Sequence, residues 1–243
     1  MKKLSFLLAA VLIFTTVNAK IRRVGFFASP ISGTDYTTFA LAYTAASAGD
    51  TILMFPNTTL GGTLTKKLII LGPGNFLDPN TTPKGNANLQ AFPGEAVISS
   101  LTIAPGSDGS VVEGFHSGSI YVTTDNISLI RNRDINVVIA YTSPPTTITN
   151  LQVLQNYNVS VSNYYSNSCG VTNMNISNNL MYSFSILVGN AYSGNISNNV
   201  WTSDATLSAA LNGGSSTQSL AVGIDLGNGS NSPASICDMP AGL

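Results

Sequence analysis

Apolar and polar residues alternate in short segments along most of this chain, and these segments end on Gly or Asn. The spacings between successive ends are 42, 18, 24, 22 and 20 residues. Repeats of about 20–25 residues made of β-type segments are typical of a solenoid, in which each repeat forms one coil. The pattern therefore predicts an all-β solenoid of about seven coils. The segment ends are Gly72, Gly114, Asn132, Asn156, Asn178 and Asn198.

A helical pattern precedes the coils, over about residues 35–47, with Thr34 or Asp35 as the N-cap. A helix here would cover the apolar end of the first coil, which an open solenoid must shield. We expect coils over about 50–201 and an irregular tail over about 203–243, with one late strand candidate over residues 220–226. The residues that would share the apolar face of the helix are Phe39, Ala42, Tyr43 and Ala46.

The first 19 residues have the features of a secretory signal peptide. Lys2 and Lys3 form a positive start, an apolar core follows, and a small-residue cleavage site ends at Ala19. The apolar run is shorter than the ~20 residues that cross a bilayer, so no membrane span is expected. We therefore expect one exported domain, residues 20–243, in a secreted, cell-surface or periplasmic location.

Charged residues are scarce, at 9% of the chain, and removal of Lys2 and Lys3 changes the formal charge from −1 to −3. Without a basic patch to neutralise phosphates, nucleic acid is not an expected partner. Apolar residues are abundant, at 44%, and they alternate, which favours a packed β structure over disorder. We expect a monomer.

The recurring asparagines have a structural interpretation. Ile176, Asn178 and Leu180 share parity in a strand, so all of them are predicted to point inward. A buried amide needs hydrogen-bond partners, and stacked amides can supply them to one another and to the turns. The predicted ladder consists of Asn132, Asn156, Asn178 and Asn198.

The chain has two cysteines, Cys169 and Cys237. In a solenoid they would lie about three coils apart, roughly 14 Å at ~4.7 Å per rung. A disulfide needs Cα atoms within ~7 Å, so a bridge would require the tail to fold back along the coils. No His or second Cys flanks either residue, so no metal site is predicted.

Several motifs carry a family resemblance. They are residues 48–52 (Ala-Gly-Asp-Thr-Ile), 67–74 (Lys-Leu-Ile-Ile-Leu-Gly-Pro-Gly), 107–115 (Ser-Asp-Gly-Ser-Val-Val-Glu-Gly-Phe), and the Asn-Ile-Ser-Asn-Asn runs that begin at Asn175 and Asn195. With the signal and the helical segment, they resemble secreted bacterial proteins of the pectate-lyase-like superfamily. The resemblance implies a single-stranded right-handed parallel β-helix. It implies no single activity, because the superfamily includes lyases, hydrolases, epimerases and adhesins.

Catalysis on an acidic polysaccharide, by a lyase or a glycoside hydrolase, is one alternative that the resemblance implies. The Asp-Asp pair and the Gly-His-Gly motif of related hydrolases are absent, and His116 is predicted to be a solvated loop residue. A lyase would need a basic residue and, in this superfamily, usually Ca²⁺ at the uronate. The candidates are Glu113, Arg131 and Arg133. An exposed ion pair between Arg131 and Glu113 is the simpler interpretation. Outside this alternative no cofactor is expected.

Our leading interpretation is non-catalytic binding of a polysaccharide or another cell-surface component. Tyrosine rings on a stiff coil surface can stack on sugar faces at little ordering cost. The candidates are Tyr157, Tyr164 and Tyr165. An ice-binding or adhesin-like solenoid is a further alternative, but Thr residues such as those at 146–149 do not recur in every coil.

Overall fold

The chain folds into short parallel strands with one short helix. The computed structural model describes residues 19–74, 94–139, 147–163, 171–187, 192–210 and 219–224. At residues 163, 185–187, 192, 201–210 and 219–224 the description covers the backbone. The predicted signal peptide core, Cys169 and Cys237 lie outside the described residues. No helix in these ranges is both long and apolar enough to cross a bilayer.

The elements follow one another along the chain as short strands. They are β1 (Ile21–Val24), β2 (Asp35–Tyr36), α1 (Phe39–Ala45), β3 (Thr51–Met54), β4 (Thr59–Leu64), β5 (Ile69–Leu71), β6 (Val97–Ile103), β7 (Val111–Glu113), β8 (His116–Val122), β9 (Ser128–Ile130), β10 (Arg133–Ile139), β11 (Ile148–Thr149), β12 (Gln152–Leu154), β13 (Tyr157–Asn163), β14 (Val171–Ser177), β15 (Leu180–Leu187), β16 (Tyr192–Ala210) and β17 (Ser219–Ile224).

The strands form two parallel layers, which we call sheet A and sheet B. Sheet A contains β1, β2, β3, β5, β7, β9, β11, β12, β14, the start of β16 and β17. Sheet B contains β4, β6, β8, β10, β13, β15 and the end of β16. Along most of its length the chain visits the two sheets in turn and pairs each strand with the equivalent strand one repeat earlier. The prediction of an all-β, solenoid-like parallel fold is confirmed.

The core lies between the two sheets and consists of stacked columns of apolar side chains. In each strand alternate residues point inward, so parallel pairing in register places like residues above one another. Full burial of a Val, Leu or Ile side chain contributes about 1.5–3 kcal/mol. The buried column of sheet A is Ile52, Ile70, Val112, Leu129, Val153, Ile176 and Ile196. The buried column of sheet B is Leu101, Ile120, Val137, Val161 and Phe184.

Helix α1 is shorter than the sequence predicts. Asp35 and Tyr36 pair with β1 as a strand, and the helix begins only after Thr38, whose side chain accepts a hydrogen bond from the Leu41 amide at 3.4 Å. The predicted N-caps, Thr34 and Asp35, are therefore wrong. The apolar face of α1 still packs on the first strands of both sheets, because Phe39 and Ala42 are buried there.

Part of the predicted irregular tail is β structure. Strand β16 continues to Ala210, and β17 pairs with its first half from Ser219 onward. The prediction of an irregular tail is therefore wrong for the end of β16, whereas β17 agrees with the late strand predicted over residues 220–226. Stacking of strands continues at least to Ile224.

A buried ion pair joins the first strand to the turn before β3. Arg22 Nε lies 3.1 Å from Asp50 Oδ2, and both side chains are buried. The backbone amides of Lys20 and Ser47 also donate to Asp50, at 2.8 and 2.9 Å. Burial raises the pKa of the Asp50 carboxyl, but these amides and the Arg22 guanidinium together lower it below the ordinary value of 3.8. The Asp50 side chain is therefore a charged carboxylate in the folded chain, and in this form it holds β1 against the turn before β3.

After β7, β9, β12 and β14, and at the equivalent place within β16, the chain turns through a residue in the left-handed conformation. At this position φ is 81° for Gly114, 51° for Arg131, 56° for Gln155, 58° for Asn178 and 54° for Asn198. The left-handed residue interrupts the alternation of side chains, so the residue after it points inward. The strand-parity argument for Asn178 and Asn198 fails for this reason.

The inward amides at this corner form a continuous column. Asn132, Asn156, Asn179 and Asn199 are buried, whereas Asn178 and Asn198 are exposed. The prediction is therefore wrong by one residue in the last two coils. We call the four buried residues the asparagine column.

Hydrogen bonds within the asparagine column follow one rule. The side-chain oxygens of Asn156, Asn179 and Asn199 each accept from the backbone amide and the side-chain amide of the asparagine one coil earlier; from Asn156 to Asn179 the distances are 2.8 and 3.0 Å. The side-chain oxygen of Asn132, the first in the column, accepts from the Phe115 amide at 3.0 Å. Each side-chain amide also donates to a strand carbonyl of the previous coil, as from Asn156 to Leu129 at 3.0 Å. The column thereby satisfies its buried polar groups, which is what permits amides in an apolar core.

Candidate functional site

The proposed catalytic residues do not form one site. Arg131, whose side chain is 49% exposed, donates to Glu113 at 3.0 Å and to Gln155 at 2.9 Å. These residues lie at the corner that follows sheet A. Arg131 and Glu113 thus form the exposed ion pair that the simpler interpretation predicts. Such a pair contributes only about 0–1 kcal/mol to the stability of the fold.

Arg133 belongs to a different group of charges, at the start of sheet B. Its guanidinium contacts the carboxylate of Glu95, and its Nε lies 3.3 Å from Asp134 Oδ2, close enough for an ion pair but not aligned for a hydrogen bond. His116 stands between the two carboxylates: Nδ1 contacts Glu95 Oε2, and Nε2 lies 3.0 Å from Asp134 Oδ2. We call Glu95, His116, Arg133 and Asp134 the histidine–carboxylate cluster.

The structure corrects the expectation for His116. It is the first residue of β8, its backbone amide donates to Ala96 at 3.0 Å, and its side chain is 24% exposed. Each ring nitrogen is already close to a carboxylate oxygen. His116 therefore links neighbouring strands and is not a solvated loop residue.

A groove of about 350 Å³ lies beside the histidine–carboxylate cluster on the outer face of sheet B. We call it the sheet B groove. Its floor includes Gly118, where φ is 100° and an added Cβ would collide with the carbonyl oxygen of Ile98. A side chain at this position would displace the strand that forms the floor. The lining residues are Gly118, Ser119, Asp134, Ile135, Asn136, Asn158, Ser160 and Tyr182.

Two irregularities in strand pairing place side chains in the groove. Between β13 and β15, Tyr157 pairs with Leu180 and Val159 with Met181, which leaves Asn158 as an extra residue in β13. The next pair joins Ser160 to Ser183, which leaves Tyr182 as an extra residue in β15. β-Bulges redirect side chains and are common beside functional sites. Asn158 lines the groove and donates to Asp134 Oδ1 at 2.5 Å, and Tyr182 forms one wall with 48% of its surface exposed.

The outer face of sheet B also carries a row of small polar side chains, one from each of the strands β6, β8, β10, β13 and β15. Their register is continuous from β6 to β15, so the row runs across the strands with a spacing of about 4.7–4.9 Å. We call this row the hydroxyl–amide row; its members are Ser100, Ser119, Asn136, Ser160 and Ser183.

The structure describes one of the three predicted binding tyrosines. Tyr157 lies at the start of β13 in register with Arg133, and 56% of its surface is exposed. Tyr164 and Tyr165 lie outside the described residues. Within the described ranges, no group of three or more His, Cys, Asp or Glu side chains is arranged to hold a metal ion.

No protein-family model matches this sequence, and comparisons with curated proteins and with solved structures give no significant match.

Sequence reasoning did not bring Glu95, Asp134 and Tyr182 together in one surface region. Glu95 and Asp134 lie 21 and 18 residues from His116 in sequence, and the pairing of β6, β8 and β10 brings them together. The spacing of about one coil between His116 and Asp134 was the available signal. Tyr182 carried no such signal, because its position depends on a bulge.

Proposed function

We propose that this protein is a secreted, non-catalytic carbohydrate-binding protein and that the sheet B groove is its binding site. The observation that carries the proposal is the combination of an exposed tyrosine wall with a floor of hydroxyl and amide groups. Sugars present apolar ring faces and polar edges, so a binding site needs both kinds of group.

The hydroxyl–amide row supports a polymeric ligand. The strands β6, β8, β10, β13 and β15 each contribute one side chain that can donate and accept, at the spacing of the sheet. The side chains lie on paired strands, so they lose little entropy on binding. A glycan chain that crosses the strands of sheet B would contact equivalent groups in successive coils.

For the fold, we propose a single-stranded right-handed β-helix of about seven coils, similar to the pectate-lyase-like superfamily. The support is that consecutive strands of each sheet are parallel and joined by crossovers, which are right-handed in about 98% of cases. The signal-like start supports export of the protein across the inner membrane.

The geometry favours binding over the two alternatives. A lyase or hydrolase built on Arg131, Arg133 and Glu113 would need these side chains in one groove, and they lie in two separate ion-pair groups. Ice binding would favour a regular outward row of Thr, but the row beside the hydroxyl–amide row contains Tyr121 and Val138.

Replacing Tyr182 with alanine is expected to weaken polysaccharide binding about tenfold, because one wall of the groove and its stacking surface are lost. Affinity electrophoresis against a panel of soluble polysaccharides would measure the change. Tyr182 is an exposed bulge residue, so the stability of the fold should change little.

Phe26→Ala is the matched control for this experiment. Phe26 is an aromatic residue with 84% exposure between β1 and β2, and it does not line the groove. The control should bind as the wild type does. Equal losses in both variants would place binding outside the sheet B groove, and an absence of binding to every polysaccharide tested would reject the proposed function.

A further inference from the structure

We infer that the ligand of the sheet B groove is a neutral polysaccharide, without carboxylate or sulfate groups. The inference rests on the proposed function and adds the chemical class of the ligand. It depends on the charges around the groove and on how each of them is already paired.

Among the described residues that line the groove, Asp134 is the charged one. Its Oδ2 atom lies 3.0 Å from His116 Nε2 and 3.3 Å from Arg133 Nε, and its Oδ1 atom accepts from Asn158 at 2.5 Å. The carboxylate is therefore held in place at the end of the groove, and a second carboxylate entering the groove would meet a like charge.

The neighbouring side chains of Arg133 and His116 already have partners. Arg133 contacts both Glu95 and Asp134, and both ring nitrogens of His116 lie against carboxylate oxygens. A protein that recognises uronate or sulfate commonly offers an unpaired Arg or Lys in bidentate or point contact. In the described part of the groove, such a group would become available only if an existing ion pair broke.

The remaining lining groups suit neutral hydroxyls. Ser119 and Ser160 can each donate and accept, and the amides of Asn136 and Asn158 do the same. Hydroxyl groups of a sugar can form hydrogen bonds with these side chains, and neither partner needs to be charged. We therefore expect selectivity for uncharged glycans to arise from repulsion of acidic ones.

Asp134→Asn tests the inference directly. The substitution removes one negative charge, and Asn tolerates the left-handed backbone at this position, where φ is 53°. Wild-type protein should bind neutral polysaccharides such as xyloglucan or galactomannan and should not bind polygalacturonate or alginate. The variant should gain about tenfold in affinity for polygalacturonate at low ionic strength, and added salt should abolish the gain.

Asp125→Asn is the matched control. It removes the same charge in the turn between β8 and β9, where Asp125 accepts from the Thr149 amide at 2.7 Å and does not line the groove. Its affinities should equal those of the wild type. Preference of the wild type for polygalacturonate, or no gain in Asp134→Asn, would overturn the inference while the proposed function stands. A lack of binding to all polysaccharides would overturn both.

Discussion

Asp50→Ala is expected to lower the free energy of unfolding by about 3–5 kcal/mol, because it leaves the guanidinium of Arg22 buried without its carboxylate. Arg22 would keep only the Gly33 carbonyl at 3.2 Å and the Tyr36 hydroxyl at 2.9 Å. The amides of Lys20 and Ser47 would lose their acceptor as well. Urea denaturation followed by circular dichroism would measure the loss.

Glu113→Ala is the control for the effect of burial. It also breaks an ion pair, but the partner, Arg131, is 49% exposed. The expected change is about 0–1 kcal/mol. If both variants lost the same free energy, the buried pair would be no more important than the exposed one.

Acid should lower the stability of the wild type by protonating the carboxylate of Asp50. The pKa of Asp50 is lower in the folded chain than its ordinary value of 3.8, so its contribution is complete above about pH 4. The contribution is lost as the pH falls from that value through the lower pKa of the folded state. The Asp50→Asn variant has no titratable group at position 50. Between pH 7 and pH 3 it should therefore lose less stability than the wild type, and an equal loss would contradict this assignment.

Asn179→Ala is expected to destabilise the fold by about 3 kcal/mol or more, because it removes one hydrogen-bond acceptor and one donor from the centre of the asparagine column and leaves their buried partners unpaired. The Asn156 backbone amide would lose its acceptor at 2.8 Å, and the Val153 carbonyl would lose its donor at 2.9 Å. The side-chain amide of Asn156 would also lose a partner at 3.0 Å. Thermal or urea denaturation would report the change.

Asn178→Gly is the neighbouring control. Asn178 is exposed, and glycine adopts its φ of 58° without steric cost. We expect a change within about 1 kcal/mol. A large loss from Asn178→Gly and a small loss from Asn179→Ala would reverse the assignment of the inward residue.

The column of apolar residues in sheet A could be predicted from the sequence, because alternation in a parallel strand is a local property. Ile176 and Ile196, for example, occupy equivalent places in repeated Asn-Ile-Ser-Asn-Asn runs, and both are buried. The asparagine column could be predicted only in part. Strand parity holds from Met174 to Ile176 and fails at Asn178, where the left-handed backbone turns the following side chain inward.

Strands β1 and β4 could not be predicted from local sequence patterns. Strand β1 contains the pair Arg22 and Arg23, and β4 contains the pair Gly61 and Gly62. Paired charges predict a solvated segment and paired glycines predict a turn, so local patterns do not indicate strands here. Parallel pairing with β3 and β6 makes both segments strands, and Arg22 is accommodated because Asp50 neutralises it.

The sheet B groove was beyond the reach of sequence analysis. Its wall and part of its floor come from Tyr182 and Asn158, which are extra residues at two successive bulges. A bulge is defined by pairing between strands that are distant in sequence, and no local pattern specifies it. The cluster beside the groove likewise joins Glu95, His116 and Asp134 only through the stacking of coils.

Between coils, the amides of the asparagine column bond only to the coil directly before or directly after their own, in the part of the chain that the structure describes. A duplicated coil inserted into the stack would therefore find both partners, as expected where interactions are confined to nearest neighbours. Insertion of a single residue within a strand would instead shift an amide away from both. Evolution of length in this protein should thus proceed by gain or loss of complete coils, with smaller insertions confined to the segments that connect the strands.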